Sequence, residues 1–532
     1  MIFRIFILFI LVGVVHQTAC AQIIPRPNQL EVFSGEFKLD HRTAVMWPRE
    51  LKKEGMYLEK LFVEALGHKP VGANDDKKWI KLAIDETLEN ELKNEGYVLH
   101  ISTHEISIRA AHSRGIFYGI QSLRQLMMQQ GSTSGGFNLP CMQMRDVPRF
   151  GWRAFMLDEA RHFKGKGTVK KLLDEMALLK MNTFHWHLTD DQGWRIQINK
   201  YPLLTSIGGR RDSTMIDGWG TDKFIYDGTP HAGFYTQNDI REIVKYAADL
   251  HISIIPEIDM PGHTSAAIAA YPWLGSSSQQ IRVPGYWGVL DQVYNVADPN
   301  VITFVQDVLT EVMELFPSNI VHIGGDEVKY DQWRASEAIQ KLMAKEGLKS
   351  PADVQTRFTN DLSHFLNGKG KRMMGWNDIL GEKIMDHFNN DAHDYVVSES
   401  LAANTIIHFW MGNEDLMVRA AQDGYDIVNA FHEYNYFNYE ATALSKVYEF
   451  EPVPSSLVGL PGNVLGVSCQ LWSEFVATEE RLEYLLFPRL AATAEVGWTQ
   501  NDRKDFSQFT TSLRFLKDRW RLKGISFNNS IN

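Results

Sequence analysis

From about residue 150 onward the chain alternates short apolar runs with longer segments whose apolar positions recur every three or four residues. The runs "AFMLD" (154–158), "TFHWHL" (183–188), "ISIIPEID" (252–259), "IVHIGGDE" (320–327), "RMMGWND" (372–378), "TIIHFW" (405–410), "DIVNAF" (426–431) and "VLGVSCQLW" (464–472) read as strands buried on both faces. Between them, "TVKKLLDEMALLKM" (168–181), "TQNDIREIVKYAADL" (236–250) and "VITFVQDVLTEVMELF" (301–316) read as amphipathic helices. Eight strands in such alternation predict an α/β fold, a (β/α)8 barrel with long inserted loops. The helix after the fifth strand is poorly marked, so an irregular segment is expected there.

Residues 22–145 follow a different pattern. "YVLHISTHEISIRAA" alternates on either side of a "THE" turn, and "SRGIFYGIQSLRQLMM" has helical spacing, so a small α+β domain precedes a barrel spanning 146–532. No low-complexity linker separates them. The junction at "MRDVPRF" is therefore expected to be tight.

The first 21 residues carry one Arg, an apolar run from Ile5 to Val15 and a small-x-small site at Ala19-Cys20-Ala21. This is the pattern of a secretory leader cleaved before Gln22, and it predicts export to the periplasm or the medium. Lipid attachment at Cys20 is the weaker reading, because Gln17 stands where such a site prefers Leu. No later stretch is apolar enough to span a bilayer. Once Cys20 leaves, Cys141 and Cys469 remain, too few for a disulfide framework and expected as buried thiols. With 54 basic and 65 acidic residues the net charge of -11 disfavours nonspecific nucleic-acid binding.

Active sites of such barrels sit at the carboxyl ends of the strands. Those ends are rich in acids and aromatics here: Asp158 and Arg161, His187 with Asp190 and Asp191, Glu257, Asp259 and His263, Asp326 and Glu327, Trp376 and Asp378, Trp410, Glu433 and Tyr436, Trp472 and Glu474. Carboxylates for hydroxyls and indoles for ring faces make a carbohydrate site. The adjacent pair Asp326-Glu327 does not suit a glycosidase whose two acids flank the sugar ring from opposite sides. A division of labour fits better, with Glu327 giving a proton to the leaving oxygen and Asp326 holding a substrate group.

The ordered motifs "WRAFMLDEARHF", "FHWHLTDDQGW", "PEIDMPGH", "HIGGDEV", "GWND" and "LWSE" resemble the signature of glycoside hydrolase family 20, the β-N-acetylhexosaminidases. The segment beginning "IIPRPNQLEV" is similar to that family's N-terminal domain. The resemblance implies a retaining reaction in which the substrate's own 2-acetamido oxygen attacks the anomeric carbon, the substrate-assisted exception to the two-carboxylate scheme. It implies Glu327 as acid and then base, and Asp326 as acceptor of the acetamide N–H. Arg161 would grip ring hydroxyls, with Asp190 and His263 positioning the acid beside His187 and Asp259. Trp376, Trp410 and Trp472 would form the aromatic wall, Tyr436 would donate to the acetamide oxygen, and Glu474 would accept from outer hydroxyls. Asn438 stands where many relatives have Asp, which puts its contact to a sugar hydroxyl in doubt. No cofactor is implied; the partner is a glycan ending in N-acetylglucosamine or N-acetylgalactosamine, and homodimers are common in the family.

Two other readings stay open at this level. His185 and His187 place two imidazoles on one face of a strand, which with Asp326 or His263 could bind zinc in a barrel metallohydrolase. A sugar-binding protein that has lost catalysis is the non-enzymatic alternative, although both acids are present.

Overall fold

The computed structural model describes residues 22–530 except 70–77, 131–135, 219, 222, 278 and 382–399. The leader and the segment after the fifth barrel strand, whose helix is poorly marked in sequence, lie outside the described residues.

The first domain is a six-stranded sheet built from β1 (Gln29–Leu39), β2 (Ala44–Met46), β3 (Trp79–Ile84), β4 (Tyr97–Ile101), β5 (Glu105–Ala110) and β6 (Phe137–Asp146), in the spatial order 1-6-4-5-3-2. β4 and β5 form the expected hairpin, in register at Leu99 and Ile108. Their alternation buries Leu99, Ile101, Ile106 and Ile108 under helices α1 (Lys52–Leu66) and α2 (Ser113–Gln130). The outer sheet positions of β1 stay in solvent.

The second domain is a closed parallel barrel of eight strands, β7 (Trp152–Asp158), β8 (Thr183–His187), β9 (Ser253–Glu257), β10 (Ile320–His322), β11 (Arg372–Trp376), β12 (Ile406–Phe409), β13 (Asp426–Asn429) and β14 (Val464–Leu471). The three helices read from periodicity are present as α3 (Lys166–Leu178), α4 (Gln237–Asp249) and α5 (Pro299–Leu315). Their starts are set by chemistry visible in the chain: Thr236 and Asp239 close a capping box, and Asp298 caps a helix opened by Pro299. One boundary departs from expectation, because β10 stops at His322 instead of running to Glu327. Gly324 and Gly325 take φ of +66° and +91°, left-handed values that end a strand. Cys141 and Cys469 are buried free thiols, and no helix among the described residues is long and apolar enough to cross a membrane.

The junction is as tight as the missing linker predicts. Arg153 on β7 lies 2.8 Å from Glu95 of the first domain, and Lys180 lies 3.0 Å from Asp146. All four are buried, and Trp498 Nε1 donates to the other oxygen of Asp146. Burial works against the Glu95 anion, yet the Arg153 charge outweighs it and holds the carboxyl below its usual range. Breaking one such pair by removing a single partner strands a buried charge, at a cost of about 3–5 kcal/mol.

Candidate active site

The two left-handed glycines decide how the adjacent acids are presented. A side chain on Gly324 would come within 1.8 Å of Asp259 Oδ1, so only glycine lets the backbone pass there. The Gly325 N–H donates to that same oxygen at 3.2 Å. Glu327 itself takes φ of +52°, as does His263. A non-glycine residue held in this region is strained, and such strain gathers at functional sites. The outcome is that Asp326 and Glu327, which a regular strand would send to opposite faces, line one cavity of about 690 Å3, mid-range for a ligand pocket.

His263 organises that cavity. Its Nδ1 lies 3.2 Å from both Asp190 Oδ1 and Asp191 Oδ2, and its Nε2 lies 3.4 Å from Glu327 Oε2 and 4.0 Å from Asp326 Oδ2. Both acids therefore approach the same imidazole nitrogen and stand on one side of the pocket. Burial disfavours a charged ring, but the Asp190 charge and the hydrogen bonds to Asp190, Asp191 and Glu327 outweigh it and keep His263 protonated. Asp190 is in turn held by Arg161 at 2.8 Å and His187 at 2.8 Å, and despite burial these cations keep it ionised. A continuous line of contacts runs from Arg161 through Asp190 and His263 to Glu327.

Asp326 is in the opposite situation. Burial pushes its carboxyl well up, Asp378, Glu327 and Glu257 add to the shift, and His263 opposes it. Its Oδ1 is buried and has no hydrogen-bond partner among the described residues. Buried polar atoms are rarely left so, and this one is an acceptor waiting for a donor. The Tyr436 ring lies parallel to Trp410 with centroids 6.0 Å apart, and Trp472 closes the same wall 6.0 Å from Tyr436. Burial and the nearby Asp326 charge keep the Tyr436 hydroxyl protonated, hence a donor. Arg161 sits over the Trp472 ring at 5.1 Å and faces Glu474.

Ten residues singled out in the sequence line this cavity: Arg161, Asp190, His263, Asp326, Glu327, Trp410, Tyr436, Asn438, Trp472 and Glu474. Asn438 Oδ1 is buried and without a hydrogen-bond partner among the described residues, so it too is open to a donor. Trp376 is placed differently: it is fully buried beneath the pocket, stacked 4.2 Å from His408, with its Nε1 donating to Glu257. It supports Trp472 from below at 5.8 Å and does not face the cavity. His187 and Asp259 lie one layer down, as supports. Glu433, read as a rim acid, points away and pairs with Lys446 at 3.1 Å.

Three further residues hold the arrangement together, and none was given a role from sequence. Gln192 accepts from Arg161 Nε at 3.1 Å and donates to the Tyr286 carbonyl at 2.8 Å. Glu257 pairs with His185 and His187 below the site. Asp378 accepts from Trp410 Nε1 at 2.8 Å and from the Glu327 backbone at 3.5 Å, so it ties the aromatic wall to the acid. Glu257 and Asp378 were visible only as strand-end acids.

The metal reading is not favoured by the arrangement of His185 and His187. His185 Nε2 and His187 Nδ1 both lie against Glu257 Oε2, at 2.8 and 2.7 Å, so the two imidazoles converge on one carboxylate. His185, His322 and His408 bring ring nitrogens within 4.8 Å of one another. Gly324 N–H donates to His322 Nδ1, which also lies 3.1 Å from Glu257 Oε1, and His322 Nε2 lies 3.2 Å from His408 Nδ1. His322 and His408 are hydrogen-bonded to each other in the barrel core, and His185 packs against both rings.

Comparison with known proteins identifies the family of the chain. Residues 150–501 match the sequence model described as glycosyl hydrolase family 20, catalytic domain, and residues 21–147 match that family's domain 2. A beta-hexosaminidase of Porphyromonas gingivalis is 36% identical over 95% of this chain, which spans 64% of that relative's length. A beta-N-acetylhexosaminidase of Cellulomonas fimi is 30% identical with 96% of each chain covered. Among solved structures, a GH20 exo beta-N-acetylglucosaminidase of Vibrio harveyi superposes with a TM-score of 0.80 at 29% identity, over 96% of this chain and 78% of the other. The beta-N-acetylhexosaminidase of Bacteroides fragilis superposes at 0.78 with 30% identity, over 95% and 96%. Matched in both domains and in their order, the chain belongs to glycoside hydrolase family 20.

Proposed function

We propose that this enzyme is an exported, exo-acting β-N-acetylhexosaminidase that removes terminal β-linked N-acetylglucosamine or N-acetylgalactosamine from glycans with retention of configuration. The observation that carries the reading is the buried, unpartnered Oδ1 of Asp326 beside the Tyr436 ring and on the same side as Glu327. An acetamide seated there offers its N–H to Asp326 and its carbonyl oxygen to the Tyr436 hydroxyl. Export rests on the leader alone.

The steps follow from these placements. Glu327 gives its proton to the glycosidic oxygen as the C1–O bond breaks. The acetamide oxygen attacks C1 from the other face and closes an oxazolinium ring, whose positive charge the Asp326 carboxylate stabilises. Protonated His263, 3.4 Å from Glu327 Oε2, steadies the carboxylate left behind. That carboxylate then takes a proton from water, which opens the ring at C1 and restores the β configuration. Arg161 and Glu474 hold the outer hydroxyls, and the sequence of steps needs no group beyond chain, substrate and water.

A substrate with a hydroxyl in place of the 2-acetamido group tests this directly. It retains the ring and the leaving group but lacks the nucleophile, and kcat/KM is expected to fall by at least about 10^4. The proton NMR spectrum of the first-released sugar from the acetamido substrate should show the β anomer. Turnover of both substrates at similar rates, or an α product, would refute the reading.

Acid loss of activity should belong to Asp326 and its neighbours. The reaction needs Asp326 ionised, and its raised pKa means the free enzyme loses kcat/KM as pH falls through that value. Asp378, pushed up to about 6 by burial and by the Glu327 charge, is one cause of that rise. Asp378→Asn removes the charge while keeping an acceptor for Trp410, so the acidic limb of kcat/KM should move to lower pH. A limb that stays in place would assign it to another group.

A further inference from the structure

Two further guanidinium groups, Arg195 and Arg211, are buried and form no ion pair among the described residues. Both donate to the Gln192 carbonyl, Arg211 Nη1 at 3.3 Å and Arg195 Nη2 at 3.5 Å. Arg195 directs its other donors at the carbonyls of Glu159, Ala160, Gly209 and Gly233 and is fully satisfied. Arg211 is not. Its Nε donates to Thr214 Oγ1 at 2.8 Å, but its buried Nη2 has no hydrogen-bond partner among the described residues. The acids whose charges reach Arg211 are Asp158 and Asp227, and each is engaged elsewhere. Asp158 accepts from Arg161 and from the backbone of Ala160, Arg161 and Ser473, and Asp227 is exposed and accepts from the backbone of Thr214 and Thr229. A buried charge is normally paired, so Arg211 is short of one negative group.

The surroundings of Arg211 supply a second free donor. Arg211 and His231 face each other across the short antiparallel strands Arg210–Arg211 and His231–Ala232, so their side chains leave the ribbon on one side. His231 Nε2 accepts from the Phe163 N–H at 3.0 Å. Burial and the Arg211 charge keep the ring neutral, so its proton is on Nδ1. The His162 ring stands 5.2 Å from that of His231, and the Trp287 ring lies 5.3 Å from the Arg211 guanidinium and 5.5 Å from His162. Arg211, His162 and Trp287 are each more than nine-tenths buried, while His231 is half-buried and stands toward solvent.

We propose that Arg211 Nη2 and His231 Nδ1 form a site for a small monovalent anion such as chloride, walled by Trp287 and His162. One unpaired guanidinium beside a neutral imidazole calls for a single negative charge, and hydrogen bonds to an ion are the strong ones. The site lies one layer behind the groups that hold the outer hydroxyls of the sugar. Gln192, whose carbonyl Arg211 grips, accepts from Arg161 Nε at 3.1 Å. His162 Nδ1 lies 2.6 Å from the carbonyl of Ser473, the residue before Glu474. An anion that fixes Arg211 and the ring beside it therefore steadies both Arg161 and Glu474 without touching Glu327, and it should act on substrate affinity and not on bond cleavage. That consequence rests on the hexosaminidase reading above, whereas the binding itself does not.

The test exchanges sodium chloride for sodium gluconate, whose anion is too large for a buried site, at constant ionic strength. The readouts are melting temperature, and KM and kcat on a β-linked N-acetylglucosamine disaccharide. The wild-type melting temperature should rise with chloride and then level off, as for any ligand of the folded state. In gluconate KM should be higher by about three- to tenfold, with kcat within about twofold. Arg211→Gln should show neither response, and Arg211→Lys, which keeps the charge, should retain a weakened one. Crystals soaked in sodium bromide should give an anomalous peak within hydrogen-bond distance of Arg211 Nη2 and His231 Nδ1. Wild type indifferent to chloride in both melting temperature and KM, or an equal response in Arg211→Gln, would overturn the site. A bromide peak without any response in solution would mark an adventitious ion only and overturn it as well. If Arg211→Gln does not fold, the wild-type titration and the bromide map still decide. A protein that binds bromide at Arg211, gains stability from chloride and leaves the disaccharide intact would keep the site and overturn the hexosaminidase reading.

Discussion

Glu327→Gln is expected to lower kcat/KM on a disaccharide substrate by about 10^3- to 10^4-fold, the scale on which a positioned general acid and base contributes. The amide keeps the size of the side chain and its contact with His263, so the loss should report the proton and not the fold. On the corresponding glycosyl fluoride, whose leaving group departs with little protonation, the loss should be distinctly smaller. Initial rates on the two substrates decide the matter. Equal losses would remove Glu327 from the leaving-group oxygen. A Glu327 side chain 22% exposed at the cavity wall, carried on a left-handed backbone, is placed to meet both an incoming glycan and the water that follows.

The second large effect is expected at Asp326. Asp326→Asn offers the acetamide N–H a weaker, uncharged acceptor, and kcat should fall by about 10^2- to 10^3-fold. Added azide should form no glycosyl azide of inverted configuration. Such a product is what an enzymic nucleophile, once deleted, would leave room for, and its appearance would mean that Asp326 attacks carbon. The same variant carries a stability prediction of opposite sign. The folded state raises the Asp326 pKa, so over the pH range between the unfolded and folded values the unfolded chain gives up this proton more readily, and ionisation favours unfolding. At neutral pH that cost is present in the wild type and absent in Asp326→Asn. A melting temperature above that of the wild type is expected in the variant with the lower activity, the usual relation where a site holds charge against the preference of the fold.

Most of the framework could be read from the chain because it follows from burial. Strands hidden on both faces are continuous apolar runs, and their carboxyl ends name the rim. What could not be read depends on third dimensions that spacing does not encode. The residues "IVHIGGDE" look like one strand, but the steric demand of Asp259 on Gly324 breaks it after His322, and that break is what turns two neighbouring acids into one pocket. Trp376 sits at a strand end like Trp472, and only the barrel's depth sends it onto His408 under the floor. Gln192 and Asp378 lie in segments that the sequence marks, but their partners come from loops far along the chain, so spacing gives neither a role. Glu433 has the composition of a site residue and the position of a surface ion pair.

The buried ion pairs at the junction bear on how such proteins can be inherited. Glu95 and Asp146 lie in one domain and their cations Arg153 and Lys180 in the other, all without access to water. Recombination between relatives at this boundary would join domains whose charges had drifted independently, and one mismatched partner would leave an uncompensated ion inside the protein. The seam between the domains is therefore a poor crossover point, and the two halves are expected to be transmitted as a single block.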